Sequence, residues 1–185
     1  VIFADKPLSG KAAVRMNYYN RDGSFGAMCG NGARCTAMFA YNNGIVNTQS
    51  FDIEAVNDIY SAEIKSDILV TIGFPEPKEI KTGLKIDEDI GGSVKTANIS
   101  YTNVGSDHVV LFIDEDANRL FLNCAKMDEV DVNAVGKKLR YNKLLEPRGA
   151  NVNFAEILPG NSVRLRTYER GVERETLACG TGIIS

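Results

Sequence analysis

The sequence predicts an α/β protein of the α+β kind, with two pseudo-symmetric domains that each wrap a curved mixed or antiparallel sheet around a central helix. Three observations predict this architecture. One sequence unit occurs twice, short β-forming segments outnumber helical ones, and Pro75 and Pro77 interrupt the chain between the two copies. Because prolines break regular structure, we expect residues 1–75 to form one half and residues 76–185 the other.

The repeated unit consists of two strands, a loop and a turn that contains a cysteine. Repeats of this kind indicate duplication when several matches occur in the same order. Three pairs of segments match in order: residues 1–5 (VIFAD) and 152–156 (VNFAE), residues 14–21 (VRMNYYNR) and 163–170 (VRLRTYER), and the Cys-Gly-x-Gly turns at 29–32 and 179–182. We therefore interpret the chain as two copies of one unit.

In the first half, β-forming residues predict strands, and the alanines that follow Cys29 recur at helical spacing. The Asn43-Gly44 pair is a typical end for that helix. The predicted order is a strand at the start of the chain, a strand at 11–20, the helix after Cys29, and strands at 51–56, 59–64 and 68–74.

In the second half, the same signals predict four strands and one helix that precedes the second cysteine turn. Asp131 is a suitable N-cap for that helix. The predicted order is strands near 99–104 and 108–113, a helix at 132–141, and strands at 151–158 and 162–168.

Composition excludes several classes of protein. The 21 basic and 24 acidic residues are nearly balanced and no Lys/Arg cluster occurs, which argues against nucleic-acid binding. No apolar run approaches the roughly 20 residues that span a bilayer, so we expect no membrane association. We also expect the 185 residues to be part of a longer protein, because they begin within a strand and end within a helix.

The four cysteines and the single histidine, His108, are spaced unlike the ligands of a structural zinc site, and we expect no metal. No export signal is visible, so reduced thiols in the cytoplasm are the expectation. Core packing is the favoured interpretation of Cys35 and Cys124. A lone histidine is more often structural than catalytic.

The two cysteine turns carry the chemical prediction. A helix N-terminus presents unpaired N–H groups and partial positive charge, which lower the pKa of a cysteine there and can hold a carboxylate. Cys29 alone is as consistent with a core residue as with a reactive one. Two such turns can face one ligand, so that one thiolate removes an α-proton and the opposite thiol returns a proton. We therefore expect inversion at an amino-acid α-carbon without a cofactor.

These residues resemble the diaminopimelate epimerase family over nearly the whole chain. The segments that carry the resemblance are residues 28–35 (MCGNGARC), 168–172 (YERGV) and 175–182 (ETLACGTG). Proline racemases carry a histidine in the first motif and lack the Glu-Arg-Gly-Val segment, and the phenazine-type isomerases of this fold lack the cysteines. Both are less similar.

The resemblance implies roles for twelve residues, a small amino-acid substrate and a homodimer. Cys29 and Cys179 are implied as the two bases, supported by His108 and Glu169. Substrate contacts are implied for Asn20, Gly30, Asn31, Asn151, Glu169, Arg170, Gly180 and Thr181. The family's Asn-Pro-His is replaced by Ser106-Asp107-His108, which places Ser106 where an amide contacts substrate. We expect the Asp107 carboxylate to raise the pKa of His108.

Three functions follow from the sequence. The first is an epimerase that converts LL- to meso-diaminopimelate in lysine and peptidoglycan precursor synthesis. The second is a racemase of the same fold that acts on another amino acid. The third is an amino-acid binding module without catalysis, which the retained cysteine pair disfavours because binding alone needs no opposed thiols.

Overall fold

The computed structural model describes residues 1–185, and the chain divides between Glu76 and Pro77 into two units. The first unit is Val1–Glu76 and the second is Pro77–Ser185. Each contains one sheet, and no helix in either is both long enough and apolar enough to cross a membrane. Pro75 and Pro77 flank the division.

The first unit is a five-stranded sheet with one helix. Its strands lie in the order β1-β2-β3-β4-β5, and all neighbours are antiparallel except β2 and β3. The elements are β1 (Ile2–Asp5), β2 (Val14–Tyr18), α1 (Gly30–Asn42), β3 (Ser50–Ala55), β4 (Asp58–Ser66) and β5 (Leu69–Gly73).

Helix α1 packs on the sheet through a stripe of small residues. Ala33, Ala37 and Ala40 are fully buried in one cluster with residues such as Ile53 of β3. Their three- and four-residue spacing places them on one helix face. The expectation that Cys35 packs in the core is wrong, because Cys35 lies off this face and is exposed.

The second unit is a six-stranded sheet with three helices. Its strands lie in the order β11-β10-β9-β8-β7-β6, and only β8 and β9 are parallel. The strands are β6 (Glu79–Asp89), β7 (Val94–Asn103), β8 (Asp107–Phe112), β9 (Asn151–Leu158), β10 (Ser162–Glu169) and β11 (Arg174–Thr176). The helices are α2 (Asp116–Leu122), α3 (Val132–Arg140) and α4 (Gly180–Ile183), and the two short 3-10 helices are Met127–Glu129 and Lys143–Leu145.

The core of the second unit is built on α3 and α2. Leu139 of α3 and Phe121 of α2 are buried in one cluster with Val152 and Phe154 of β9. Asp131 begins α3 as predicted, and its carboxylate accepts a hydrogen bond from the N–H of Ala134 at 3.0 Å. Cys124 is only half-buried and packs against the edge of this cluster.

The hairpin that precedes each cysteine turn has the same register in both units. In the first, Phe3 pairs with Asn17 and the next two pairs are Ala4 with Met16 and Asp5 with Arg15. In the second, the corresponding pairs are Phe154 with Arg166, Ala155 with Leu165 and Glu156 with Arg164. The predicted pseudo-symmetry is confirmed at the level of single residue pairs.

Three of the strands and α-helices were not predicted, namely β6, α2 and β11, and neither were the two short 3-10 helices. Strand β6 is one of the two outer strands of its sheet and is largely exposed. Its charged residues obscure the alternating hydrophobic pattern to which Ile80 and Ile86 belong. Charge on an edge strand prevents pairing with other chains, so it weakens the hydrophobic signal while serving the fold. Helix α2 and strand β11 are short, and few periodic residues mark either of them.

Candidate active site

The two cysteine turns have the same local geometry. Cys29 has φ −118° and ψ 109° and caps α1, while Cys179 has φ −119° and ψ 106° and caps α4. A Cβ added to the second glycine of either turn, Gly32 or Gly182, would lie 3.4 Å from the sulfur of the preceding cysteine. Glycine therefore lets the first helical turn approach each sulfur closely.

In the first unit, the predicted site residues lie in and just before the turn of Cys29. The N–H of Gly32 donates a hydrogen bond to the Cys29 Sγ at 3.3 Å. Asn20 donates from Nδ2 to the Ser24 hydroxyl at 3.0 Å, which holds the loop that precedes the turn. Gly30 is buried, and Asn31 is exposed in the first turn of α1.

In the second unit, the fold brings five predicted residues into one buried cluster. His108 of β8 lies beside Asn151 of β9 in the parallel ladder. The His108 Nε2 is 2.8 Å from the Ser106 hydroxyl and 2.9 Å from the Thr181 hydroxyl. The Thr181 hydroxyl in turn lies 3.4 Å from the Cys179 Sγ. A continuous path of polar contacts therefore joins His108 to Cys179.

The thiol of Cys179 is a weaker acid than the sequence predicts. Burial, followed by the nearby Glu169 carboxylate, raises the pKa of Cys179 to about 11, although the Thr181 hydroxyl and the Gly182 N–H act in the opposite direction. The expectation of a lowered pKa is therefore wrong for Cys179. The reason is that desolvation of the thiolate outweighs the donors at the helix start.

Glu169 is the predicted support for Cys179, and it lies beside that thiol. Its effect on the pKa of Cys179 includes a hydrogen bond from the thiol to the carboxylate. Thr176 of β11 donates to the Glu169 Oε1 at 2.6 Å, which fixes the orientation of the carboxylate. Glu169 is therefore placed to accept a proton from the sulfur.

His108 is neutral at physiological pH. Burial, together with the positive charge of Arg170, lowers the pKa of His108 to about 4, although Asp107 acts in the opposite direction. Asp107 does act to raise the pKa of His108, as expected. The resulting pKa is nevertheless lowered, so the expectation of a raised pKa is wrong. The side chain of His108 is fully buried, and desolvation disfavours the imidazolium.

Asp107 is the centre of an ion-pair cluster. Its Oδ2 accepts from Arg170 Nη1 at 2.9 Å, and its Oδ1 accepts from Arg148 Nη2 at 3.0 Å and from the Tyr101 hydroxyl at 2.7 Å. Burial alone would raise the pKa of Asp107, but the bonds from Tyr101 and Arg170 outweigh it and hold this pKa below its ordinary value. Asp107 therefore stays ionised and anchors Arg170.

Asn151 links this cluster to the histidine. Its Nδ2 donates to the Asp107 carbonyl oxygen at 3.0 Å, and its Oδ1 accepts from the Arg170 N–H at 2.9 Å. Asn151 thus positions the backbone on which both Arg170 and the preceding Glu169 are carried. Gly180, which is also a predicted site residue, follows Cys179 directly and is the first residue of α4.

Sequence reasoning missed several polar residues of the site, among them Asn153 and Arg148. Asn153 contacts the other ring nitrogen of His108, and Arg148 pairs with Asp107. For Asn153 a signal exists, because residues 151 and 153 alternate along β9 and so lie on the same face of the sheet. No group of three or more His, Cys, Asp or Glu side chains is arranged to hold a metal ion.

Comparison with known proteins shows which family the chain resembles. The diaminopimelate epimerase family model matches residues 1–76. Diaminopimelate epimerases from Chlorobaculum tepidum and Hydrogenobaculum sp. are 37% and 36% identical to this chain over 175 and 182 residues. These matches cover 94% and 98% of this chain and 61% of each relative, so the chain spans about three fifths of their length.

Solved structures show that other proteins have a similar fold. A phenazine biosynthesis protein of the PhzF family from Bacillus anthracis has a TM-score of 0.60 at 15% identity, over 97% of this chain and 61% of its own. A hydroxyproline epimerase from Agrobacterium vitis has a TM-score of 0.60 at 14% identity, over 91% of this chain and 52% of its own. These likenesses establish the fold. The sequence relatives match nearly the whole chain, so the chain is similar to diaminopimelate epimerases over nearly its whole length and to their family model over residues 1–76.

Proposed function

We propose that the protein is a cofactor-independent epimerase that converts LL- to meso-diaminopimelate with Cys29 and Cys179 as its two bases. One cysteine removes the α-proton as a thiolate, and the other donates its S–H proton to the opposite face of the carbanion. Each turnover thus exchanges one carbon-bound proton for one from sulfur, and the two cysteines exchange protonation states. The next turnover in the same direction requires the protons to re-equilibrate with solvent.

The observation that carries this proposal is the duplicated turn. Cys29 and Cys179 share backbone angles to within 3°, and each is followed by a glycine that approaches its sulfur. A structural cysteine has no need of this matched geometry in both copies. Inversion does need it, because two equivalent groups must act on opposite faces of one carbon.

The state of Cys179 suits the role of proton donor. With a pKa near 11 it is a thiol at neutral pH, ready to protonate a carbanion. As the proton leaves, the Thr181 hydroxyl can donate to the sulfur. The backbone N–H groups of Gly180 and Thr181 are suited to hold the substrate carboxylate while charge spreads onto it.

Polar groups of the substrate are assigned to Glu169, Arg170 and Asn151. Arg170 is assigned to the distal carboxylate. The two N–H groups of Arg170 Nη1 are engaged by Asp107 and the Gly149 carbonyl oxygen. A guanidinium has five N–H donors, so its Nε and Nη2 groups remain for a carboxylate. Glu169 lies beside Cys179 and carries the negative charge that the ammonium group at the reacting end requires.

We predict that Asp107→Asn weakens substrate binding more than it slows chemistry. Without the carboxylate, Arg170 loses a charged anchor, so KM for diaminopimelate should rise by about fivefold, the equivalent of one lost hydrogen bond, while kcat changes little. The free energy of unfolding should fall by about 2 kcal/mol, because the bond joins charged groups that are mostly buried. Steady-state kinetics and urea unfolding measure both. A lower kcat with unchanged KM would contradict this role.

The proposed reaction is tested by solvent exchange. Purified protein incubated with LL-diaminopimelate in heavy water should form meso-diaminopimelate with deuterium at the inverted centre and need no added cofactor. Chiral chromatography with mass spectrometry resolves both points. A requirement for pyridoxal phosphate, or product without deuterium, would exclude the two-base mechanism.

A racemase of another amino acid is the second candidate, and the ion pair of Asp107 with Arg170 favours it. Asp107 neutralises part of the charge that would attract a distal carboxylate. A chiral assay over amino acids with and without that carboxylate separates the two functions. Retained activity on LL-diaminopimelate and none on lysine would favour the first.

The cellular setting follows from the same proposal. The reaction would supply lysine and peptidoglycan precursor synthesis in the cytoplasm, where the thiols stay reduced. We also propose a homodimer, which sedimentation equilibrium tests directly.

A further inference from the structure

Asn153 is fully buried and makes hydrogen bonds at both ends of its amide. Its Nδ2 donates to the Val109 carbonyl oxygen at 3.0 Å and lies 3.0 Å from the His108 Nδ1. Its Oδ1 accepts from the Thr167 hydroxyl at 2.9 Å. None of the proposed catalytic steps uses this side chain, so its presence in the site calls for a physical reason.

The two copies of the repeat differ at this position. In the first unit, a Cβ added to Gly32 would meet the side chain of Ile2 at 2.9 Å. In the second, a Cβ added to Gly182 would meet the Asn153 Oδ1 at 2.5 Å. Ile2 and Asn153 occupy equivalent places in the matched hairpins, beside the same glycine of each cysteine turn. Contact with this glycine therefore does not require an amide, and the hydrogen bonds of Asn153 call for another explanation.

The orientation of this amide sets the tautomer of His108. A carbonyl oxygen only accepts hydrogen bonds, so the Asn153 atom that faces the Val109 oxygen must be the nitrogen. The same nitrogen then directs its second N–H at the His108 Nδ1. Two donors cannot face each other at 3.0 Å, so Nδ1 is the acceptor and the proton of the neutral ring lies on Nε2.

The single Nε2 proton can then be donated to a hydroxyl, and two lie within 2.9 Å, those of Ser106 and Thr181. The Asn151 Nδ2 is farther away, at 3.4 Å, and donates to the Asp107 carbonyl oxygen at 3.0 Å. When Thr181 accepts from Nε2–H, its own proton remains for the Cys179 sulfur at 3.4 Å. The hydrogen bonds thus run in one direction, from the Asn153 amide through His108 and Thr181 to Cys179. Such a chain stabilises negative charge at its end.

We propose that Asn153 is a positioning residue that fixes neutral His108 as its Nε2–H tautomer, so that Thr181 donates to the Cys179 thiolate. This rests on the proposed function, in which Cys179 becomes a thiolate after it protonates carbon. His108 is then a fixed hydrogen-bond donor that neither gains nor loses a proton in the cycle. The proton that leaves Cys179 goes to the substrate carbon, and the sulfur retains the electron pair.

The charged groups around this chain of hydrogen bonds do not account for the stabilisation of the Cys179 thiolate. Arg170 and Asp107 face His108 and have opposite effects on its charge, and Glu169 disfavours the Cys179 thiolate. The donors that favour the thiolate are the Thr181 hydroxyl and the Gly182 N–H. The Thr181 hydroxyl is the one that the tautomer of His108 controls.

The tautomer can be observed directly, because His108 is the only histidine in the chain. In protein labelled with ¹⁵N-histidine, NMR should show a proton on Nε2 and none on Nδ1 at neutral pH. Protonation should begin only near the pKa of about 4. A proton on Nδ1 at neutral pH would overturn the proposal, whether or not the protein proves to be an epimerase.

The effect on sulfur is tested with a matched pair of variants. Thr181→Val removes the hydroxyl and keeps the shape, while Thr181→Ser keeps the hydroxyl. Alkylation of Cys179 by iodoacetamide, followed by peptide mass spectrometry, should become about tenfold slower below its pKa in Thr181→Val, which corresponds to a pKa raised by one unit. The Ser variant should keep the original rate, and exposed Cys35 serves as the reference thiol in each sample.

Asn153→Leu tests the origin of the chain of hydrogen bonds, since leucine has the branched shape of asparagine without its donor and acceptor. The ¹⁵N spectrum should then show both tautomers of His108, and the alkylation of Cys179 should slow in the same direction as in Thr181→Val. If this variant does not fold, the unmodified protein and the Thr181 pair still decide. An unchanged tautomer in folded Asn153→Leu, or equal Cys179 alkylation in the two Thr181 variants, would refute the proposal.

Discussion

Replacement of Cys179 by alanine is expected to abolish inversion at the α-carbon, with kcat lower by about 10³-fold, within the range for loss of a positioned general acid or base. The physical reason is that inversion needs a proton donor on the face opposite to the base, and no other side chain at this turn carries a transferable S–H group. Chiral analysis of product in heavy water measures the loss. The turn itself should persist, because Gly180 and Gly182 are unchanged.

A further readout separates loss of one base from loss of the whole site. In Cys179→Ala, Cys29 can still remove and return the proton on its own face, so deuterium should enter one stereoisomer of the substrate without inversion. Cys35→Ala is the matched control, since that thiol is exposed on α1 and should leave both exchange and inversion intact. Inversion at an undiminished rate in Cys179→Ala would contradict the two-base assignment.

Much of the fold could be predicted because it depends on residues that are close in the sequence and because the same unit occurs twice. The registers of the β1–β2 and β9–β10 hairpins follow from matched segments, and the alanine spacing of α1 defines its buried face. The same spacing places Cys35 off that face, so the sequence itself indicates that Cys35 lies outside the core. Strand β6 was missed for a different reason, since an exposed edge strand lacks a strong hydrophobic pattern.

The sequence predicts which residues form the candidate site, but it does not predict the pKa values that the structure gives to them. The cysteine turns, His108 and Glu169 are visible as motifs, but the pKa of Cys179 depends on burial and on how close Glu169 comes. Asp107 pairs with Arg148 and Arg170, which lie 41 and 63 residues further along the chain. Partners so distant in sequence are brought together only by the strand order of the sheet. Local sequence patterns therefore do not predict these ion pairs.

The neutral state of His108 predicts a loss of stability in mild acid. Its pKa is about 4 in the folded protein and near 6.5 in an unfolded chain. As the pH falls below 6.5, the unfolded chain binds a proton that the folded protein does not, so the unfolded state is favoured. The stability that neutral His108 contributes is complete above that pH and is lost towards pH 4, a change of about 3 kcal/mol in the free energy of unfolding.

Urea unfolding followed by circular dichroism across this pH range measures the slope, and His108→Gln is the matched control. Glutamine keeps an N–H donor near the position of Nε2 but does not titrate, so this variant should start less stable and lose little further stability between pH 6.5 and pH 4.5. Carboxylates with a lowered pKa, such as Asp107 and Glu54, do not explain most of a loss in that interval, because they release their contributions mainly below their ordinary pKa values of 3.8 and 4.5. Hydrogen exchange should place the acid-sensitive opening in β8 and β9, with β3 and β4 of the histidine-free first unit as the internal reference. Equal slopes for the two proteins would show that His108 is not the group that titrates.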